Sequence, residues 1–144
     1  MAGTVSTPIF VKDGQYLSFT AESAITLGQV VELTSTGTVQ PATVADGTNV
    51  VIGVAVEGNR FSRTATDNSI AAGQKVTVCT RGVVNVYTDT SAIVVGSLVE
   101  AAATGIVALA GTAGTTGNIN DSIGMALEAN GSAADTIKVK LMRG

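Results

Sequence analysis

Histidine and tryptophan are absent from the sequence, and cysteine occurs once, as Cys79. Without histidine, the ordinary Ser-His and Cys-His nucleophile pairs cannot form, and a zinc site would have to rely on carboxylates. A single cysteine cannot form a disulfide within the chain. We therefore predict that the protein is not an enzyme and has no metal site, no cofactor and no small-molecule substrate. We expect Cys79 to be a small buried side chain.

Charged and aromatic side chains are scarce. They make up 13% and 3% of the residues, whereas charged residues usually make up about 25% of a soluble domain. The net charge is −3 and the eight basic residues are dispersed, which argues against nucleic-acid binding because phosphate contacts need clustered Lys and Arg. A surface dominated by Ala, Gly, Ser and Thr gains from packing against partners. We expect a protein that works in an assembly.

Long apolar runs are also missing. No run approaches the ~20 residues that span a bilayer, and the N-terminus lacks the basic start and apolar stretch of a signal peptide. The length of 144 residues is that of one ordinary domain. We expect a single-domain protein that is made in the cytoplasm and has no membrane partner.

A glycine-punctuated strand pattern occurs three times. In each copy a glycine precedes a short apolar strand, and a second glycine nine positions later opens another strand. Glycine adopts the positive φ of tight reversals without steric cost, and the aliphatic residues favour strands, so each copy predicts a hairpin. The middle hairpin is expected over 73–87. The copies are Gly28-Gln29-Val30-Val31-Glu32-Leu33 with Gly37-Thr38-Val39, Gly73-Gln74-Lys75-Val76-Thr77-Val78 with Gly82-Val83-Val84, and Gly96-Ser97-Leu98-Val99-Glu100-Ala101 with Gly105-Ile106-Val107.

A second echo links the first and third copies. The run from Ile52 to Glu57 and the run from Ile123 to Glu128 share the pattern Ile-Gly-x-Ala-x-Glu. We infer that halves of about 27–59 and 95–130 arose by duplication. The glycine inside each strand, Gly53 or Gly124, indicates a bulge or a close approach of another backbone. The predicted fold is all-β: a compact barrel-like or sandwich-like domain of short hairpins over 15–144.

Polar residues at repeat positions predict no chemistry. Glu32, Glu57, Glu100 and Glu128 occupy equivalent places at strand ends, where we expect solvated carboxylates. Asn130-Gly131-Ser132 fits the glycosylation acceptor pattern, but a turn between two strands explains it better because the secretory signal is missing.

Residues 1–14 are predicted to form an extended N-terminal arm that passes through an apolar segment and ends at the turn signal Asp13-Gly14. We expect this arm to bind a partner by adding a strand to an exposed sheet edge. The polar loop after Gly58 holds the one local basic-aromatic group. We interpret that loop as solvated rather than as a nucleic-acid site, and as a second candidate contact. The candidate partner-binding residues are Ile9, Phe10, Val11, Arg60, Phe61 and Arg63.

These motifs resemble the small head-decoration or capsid-cement proteins of tailed phages and related viruses. The resemblance covers about 15–142, and the chain departs from the family in its longer N-terminal arm and in a Gly/Thr-rich loop near 111–120. It is carried by Tyr16-Leu17-Ser18-Phe19-Thr20-Ala21, Gly28-Gln29-x-Val31, Ile52-Gly53-Val54-Ala55, Ala72-Gly73-Gln74-x-Val76-x-Val78 with Gly82-Val83-Val84, Gly96-x-Leu98-Val99, Ile123-Gly124-x-Ala126 and Ile137-x-Val139-x-Leu141.

The resemblance implies a β-barrel-like domain, commonly a homotrimer, that sits on the outer capsid surface of the virion after synthesis in the host cytoplasm. It implies the major capsid protein as partner, with neighbouring subunits clamped together. Two alternatives stay open at this point. One is a β-domain of a virion fibre or appendage that recognises surface glycans, which the absence of tryptophan disfavours; the other is a shell subunit that assembles unaided.

Overall fold

The computed structural model describes residues 11–43, 50–58, 69–109 and 122–142. These residues contain no α-helix and one short 3-10 turn, Ala103–Gly105, so the predicted all-β class is confirmed. They also contain no helix with the length and apolar character needed to cross a bilayer. The strands are β1 (Val11–Thr20), β2 (Ile25–Thr26), β3 (Val30–Leu33), β4 (Val39–Pro41), β5 (Val50–Gly58), β6 (Ser69–Ile70), β7 (Lys75–Tyr87), β8 (Leu98–Ala102), β9 (Ile106–Leu109), β10 (Ser122–Ala126) and β11 (Thr136–Leu141).

One curled antiparallel sheet forms half a barrel. Its strands follow the order β4-β3-β5-β7-β11-β10-β8-β9, and β1 pairs with β7 beside this path. A separate two-stranded sheet joins β2 to β6. Every named strand pair is antiparallel, as expected for a chain connected by hairpins and short loops.

Strand β7 is the long central element, and it corrects the hairpin predicted over 73–87. Its 13 residues run without reversal from Lys75 to Tyr87. The first part pairs with β5 and the second part with β11, while β1 pairs along both parts as far as Val84. Since a strand has two edges, β5 and β11 share one edge end to end and β1 occupies the other. Gly82, which was expected to open the second strand of that hairpin, lies inside β7 opposite Leu141.

The two Ile-Gly units have the same strand register. In the first, Val31 lies opposite both Pro41 and Gly53; in the second, Val99 lies opposite both Leu109 and Gly124. Both units also carry a register shift beside the internal glycine, between Val31 and Glu32 in one and between Ser122 and Gly124 in the other. The sequence repeat is therefore a repeat of three-dimensional structure.

The repeat extends to the strands that flank these units. Strand β1 pairs with the first part of β7, where Phe19 lies opposite Val76. In the same way, the second part of β7 pairs with β11, where Val86 lies opposite Ile137. The second part of β7 therefore corresponds to β1, and β11 corresponds to the first part of β7. The repeat is thus longer than the halves of about 27–59 and 95–130 inferred from the sequence, and from here on we call 15–79 the first half and 82–141 the second half. Strand β7 ends one half and begins the other, so no turn is needed where the repeat pattern suggested one.

The internal glycines sit where another backbone comes close, one of the two alternatives predicted for them. A Cβ built on Gly53 would collide with the carbonyl oxygen of Cys79, and one built on Gly124 would collide with that of Lys140. Both residues are buried. Close backbone approach, with the bulge beside it, explains why both halves keep glycine here.

Aliphatic side chains fill two clusters. One lies within the first half and includes Ile25, Val31, Ile70 and Val78. The larger one combines strands of both halves, including Val30 and Val54 from the first with residues of the second. One face of the sheet in the first half therefore packs against the inside of the second half.

Candidate interaction surfaces

Of the predicted partner-binding residues, Val11 lies within the described part of the chain. Ile9, Phe10, Arg60, Phe61 and Arg63 lie outside the described residues. The backbone of Val11 belongs to β1, where it pairs with Val84 of the same chain. The turn signal at Asp13-Gly14 corresponds to a register shift inside β1, between Lys12 and Gln15, so residues 11–14 of the predicted arm are part of the sheet.

The described residues contain no cluster of side chains that could hold a metal ion. An apolar crevice between the halves, lined by Val51, Gly53, Thr80 and Ile123 among others, has about 10 Å³ of free space, roughly room for one water molecule. Cys79 is fully buried, as predicted. Burial raises the pKa of its thiol, which donates to the carbonyl oxygen of Arg81 at 3.1 Å and stays protonated at neutral pH.

The expectation of four solvated glutamates is wrong for two of them. Glu57 and Glu128 are exposed, but Glu32 and Glu100 are each only 3% exposed. The Glu32 carboxylate accepts hydrogen bonds from the side chain of Gln40 at 2.7 Å and the backbone amide of Thr43 at 3.0 Å. A buried carboxylate needs such donors, so Glu32 fixes the segment after β4 rather than performing chemistry.

The two halves meet at the turn before β3. The carbonyl oxygen of Gly28 accepts from the amide of Tyr87 at 3.3 Å, and a Cβ on Gly28 would touch the Tyr87 ring at 2.9 Å. The side chain of Gln29 donates to the carbonyl of Thr104 at 2.8 Å. A Cβ on Gly105 would lie 2.9 Å from the carbonyl oxygen of Val30. This turn is thus seated on the end of β7 and on the β8–β9 turn.

The matching turn of the second half is uncovered. Gly96 and Ser97 make the same local hydrogen bonds as Gly28 and Gln29: the Gly96 amide donates to Ala126 at 2.8 Å, and the Gly28 amide donates to Ala55 at 2.8 Å. Large apolar side chains nevertheless face solvent around it. We call this set the Leu98 patch: Val94 (59% exposed), Val95 (66%), Leu98 (54%) and Leu127 (38%).

Two structural differences between the halves account for the patch. In the first half, β6 pairs with β2, and Ile70 of β6 is buried beside Ile25 of β2. Leu27 is buried in the same cluster, and it is the counterpart of the exposed Val95. In the second half, β10 and β11 are joined by the short segment 127–135, which supplies no such strand. In addition, Val30 is fully buried in the shared core, whereas its counterpart Leu98 has no half of the same chain to cover it.

Asn130 anchors the segment that leads into the patch. Its side chain is 3% exposed and accepts from the amide of Ile93 at 3.1 Å. Its amide group donates to the carbonyls of Ser91 at 2.8 Å and Asp89 at 3.0 Å. The residue lies in the turn expected for Asn130-Gly131-Ser132, where the Ala133 amide donates to its carbonyl at 3.2 Å. Its engaged side chain is needed for packing, so this motif is not an open glycan acceptor.

Strand β1 carries a second exposed apolar group. Tyr16 is 51% and Leu17 is 56% exposed. Among the described strands, β1 pairs with β7 alone, so its outer edge has no strand beside it there. An edge strand with apolar side chains is a typical place for another chain to add.

Sequence reasoning did not find the Leu98 patch. Val30 and Leu98 are both aliphatic, and so are Leu27 and Val95, so the residue types do not reveal that one pair is buried and the other exposed. The signal in the sequence is the unequal spacing after the Ile-Gly strands: the first half has the extra segment that contains β6, and the second half does not.

Comparisons with known proteins identify a family and a fold. The model of a phage family described as structural cement protein (E217 gp24/Pam3 gp6) matches residues 2–142. The crystal structure of the head fiber gp8.5 N base in bacteriophage phi29 is similar to this chain, with a TM-score of 0.56 and 17% identity over 90% of this chain and 97% of that one. At that identity the likeness concerns the fold. None of the curated protein sequences compared with the chain matches it.

Proposed function

Because the chain belongs to the phage structural cement proteins, we propose that it binds the outer surface of a phage capsid and stabilises the contacts between major capsid protein subunits. The family match over 2–142 is the observation that carries this proposal. The family is structural rather than enzymatic, as predicted from the missing histidine. A sheet with apolar side chains exposed at Leu98 and Leu17 is suited to such a role.

The mechanism is linkage between binding and capsid stability. A protein that binds the assembled lattice but not free capsid subunits stabilises the lattice by its binding free energy at each site. Because a capsid offers many identical sites, modest affinity at each one adds to a large effect on the whole particle. No bond is made or broken, so the residues contribute through shape, burial and hydrogen bonding.

The proposed active form is a homotrimer, made in the host cytoplasm and carried on the virion. Subunits of a trimer present three copies of each contact to the capsid, which raises avidity without any new contact. The exposed apolar groups on β1 and around Leu98 provide surface both for copies of the chain and for the capsid.

The N-terminal arm is the proposed capsid contact, through Ile9 and Phe10, with Val11 where the arm enters β1. Arg60, Phe61 and Arg63 are proposed as a second contact. Deletion of residues 2–10 leaves all of β1 in place and should lower capsid occupancy at least tenfold while the melting temperature of the free protein stays within a few degrees. Occupancy is measured by co-sedimentation. Full occupancy by the truncated protein would remove the arm from the proposal.

The binding itself is tested with capsids that lack the protein. Purified protein is titrated onto expanded capsids, pelleted, and located by electron microscopy. We expect saturable binding and added density on the outer surface. Failure to pellet with capsids, combined with binding to surface glycans, would favour the appendage alternative; closed shells formed by the protein alone would favour the shell alternative.

A further inference from the structure

We propose that copies of this chain associate head to tail, with the Leu98 patch of one copy docking on an acceptor surface of the next. The acceptor surface consists of Leu17 and Thr20 on β1 and of Thr36 and Gly37 in the β3–β4 turn. This inference deepens the proposed homotrimer and rests on it, and it names the two surfaces that join the copies.

The contact between the halves of one chain is the template. There, the turn at Gly28 and Gln29 is seated on Tyr87, Thr104 and Gly105, through two hydrogen bonds and close glycine contacts. Both partners are covered: Gly28 and Gly105 are buried. One half therefore already recognises the other through a defined pair of surfaces.

Each member of that pair has an unoccupied counterpart in the same chain. By strand register, Gly96 and Leu98 correspond to Gly28 and Val30. On the other side, Thr20 corresponds to Tyr87. Thr20 ends β1 opposite Lys75, the first residue of β7, and Tyr87 ends β7 opposite Thr136, the first residue of β11. In the hairpin turns, Thr36 and Gly37 correspond to Thr104 and Gly105.

The glycine turns of both counterparts face open space. Gly96 and Gly37 are exposed, and a Cβ added to either would meet no atom within 4 Å. The chain thus carries an unoccupied version of each surface of the template contact: the turn at Gly96 in the second half and the turn at Gly37 in the first half. Because these surfaces do not close on each other within the chain, a second copy is the occupant that fits them.

The side chains suit this arrangement. Leu98 takes the place of Val30 and offers a larger apolar side chain that is 54% exposed. Leu17 takes the place of Val84, which lies in the shared core with Val30, so the equivalent contact sets Leu98 of one copy near Leu17 of the next. Burial of these two leucine side chains against each other removes apolar surface from water and so favours association. Ser97, in place of Gln29, has a hydroxyl that accepts from the Val94 amide at 3.2 Å and can still donate its proton to the Thr36 turn of the next copy.

A head-to-tail contact uses two different surfaces, so it builds a ring if the rotation closes and a filament if it does not. A trimer built this way is a closed ring of six halves, each in contact with the next. Three of these contacts lie within chains and three lie between them. An isologous dimer, in which the Leu98 patch meets itself, would leave the acceptor surface unused.

The test uses one disabling substitution on each surface. Leu98→Glu puts a charge on the patch, and Thr36→Arg puts a bulky side chain on the acceptor; both positions are exposed, so folding should be preserved and is checked by circular dichroism. Met142→Lys is the matched control, since Met142 is 57% exposed and lies outside both surfaces. Mass is measured by light scattering without capsid.

We expect three times the monomer mass for the unmodified chain and for the control, and monomer mass for each variant alone. An equimolar mixture of the two variants should form a dimer, because an intact patch on one meets an intact acceptor on the other. Unchanged mass of either variant, or no dimer in the mixture, would overturn the inference. A monomeric unmodified protein that still binds capsids would overturn it as well, yet leave capsid binding intact.

Discussion

Replacing Gly53 or Gly124 by alanine is expected to destabilise the fold by about 3 kcal/mol or more. In each case the new Cβ would overlap a backbone carbonyl oxygen, that of Cys79 or of Lys140. A backbone group in the middle of a paired strand cannot move aside as a flexible side chain can. The collision must therefore separate β5 from β7, or β10 from β11, and disturb the cores on either side.

Denaturant unfolding of each variant measures this loss. Gly131→Ala is the control, because Gly131 also has no side chain but a Cβ there would meet no atom within 4 Å. Its φ of +65° leaves a strain of about 1–2 kcal/mol. Equal destabilisation by Gly53→Ala and Gly131→Ala would show that close backbone approach is not what the internal glycines provide.

Replacing Asn130 by alanine is expected to cost about 3 kcal/mol, because several buried backbone groups lose their partner at once. The amide of Ile93 loses an acceptor, and the carbonyls of Asp89 and Ser91 each lose a donor. These groups hold the segment that leads to Val94 and the Leu98 patch. The variant should therefore also weaken self-association, by disordering the segment beside the patch.

Thermal unfolding and hydrogen exchange of the 88–95 amides measure the two effects. Thr90→Ala serves as the control within the same segment, since Thr90 is exposed and should change stability by less than about 0.5 kcal/mol. If Asn130→Ala melts with the unmodified protein, the buried amide network does not stabilise the fold as argued.

Local sequence patterns predicted much of this fold because they reflect local physics. The glycine spacing identified the hairpins β3–β4 and β8–β9, and the repeated Ile-Gly pattern predicted two strands with a bulge or a close backbone neighbour at the glycine. Both features depend on a few adjacent residues. The same pattern was misleading at Gly82, because a strand shared by two halves and a hairpin begin with similar residues.

The interaction surfaces depend instead on long-range packing. Whether an aliphatic residue such as Leu98 is covered is decided by how the halves dock and by the presence of β6 in the first half alone among the described strands. No window of neighbouring residues contains that information.

We propose above that this protein stabilises a capsid by binding to it. Calorimetry measures this stabilisation on purified capsids that lack the protein, with and without saturating amounts of it. We expect the capsid melting transition to move to higher temperature, by an amount that follows the number of protein copies bound. An unchanged capsid transition at full occupancy would contradict it.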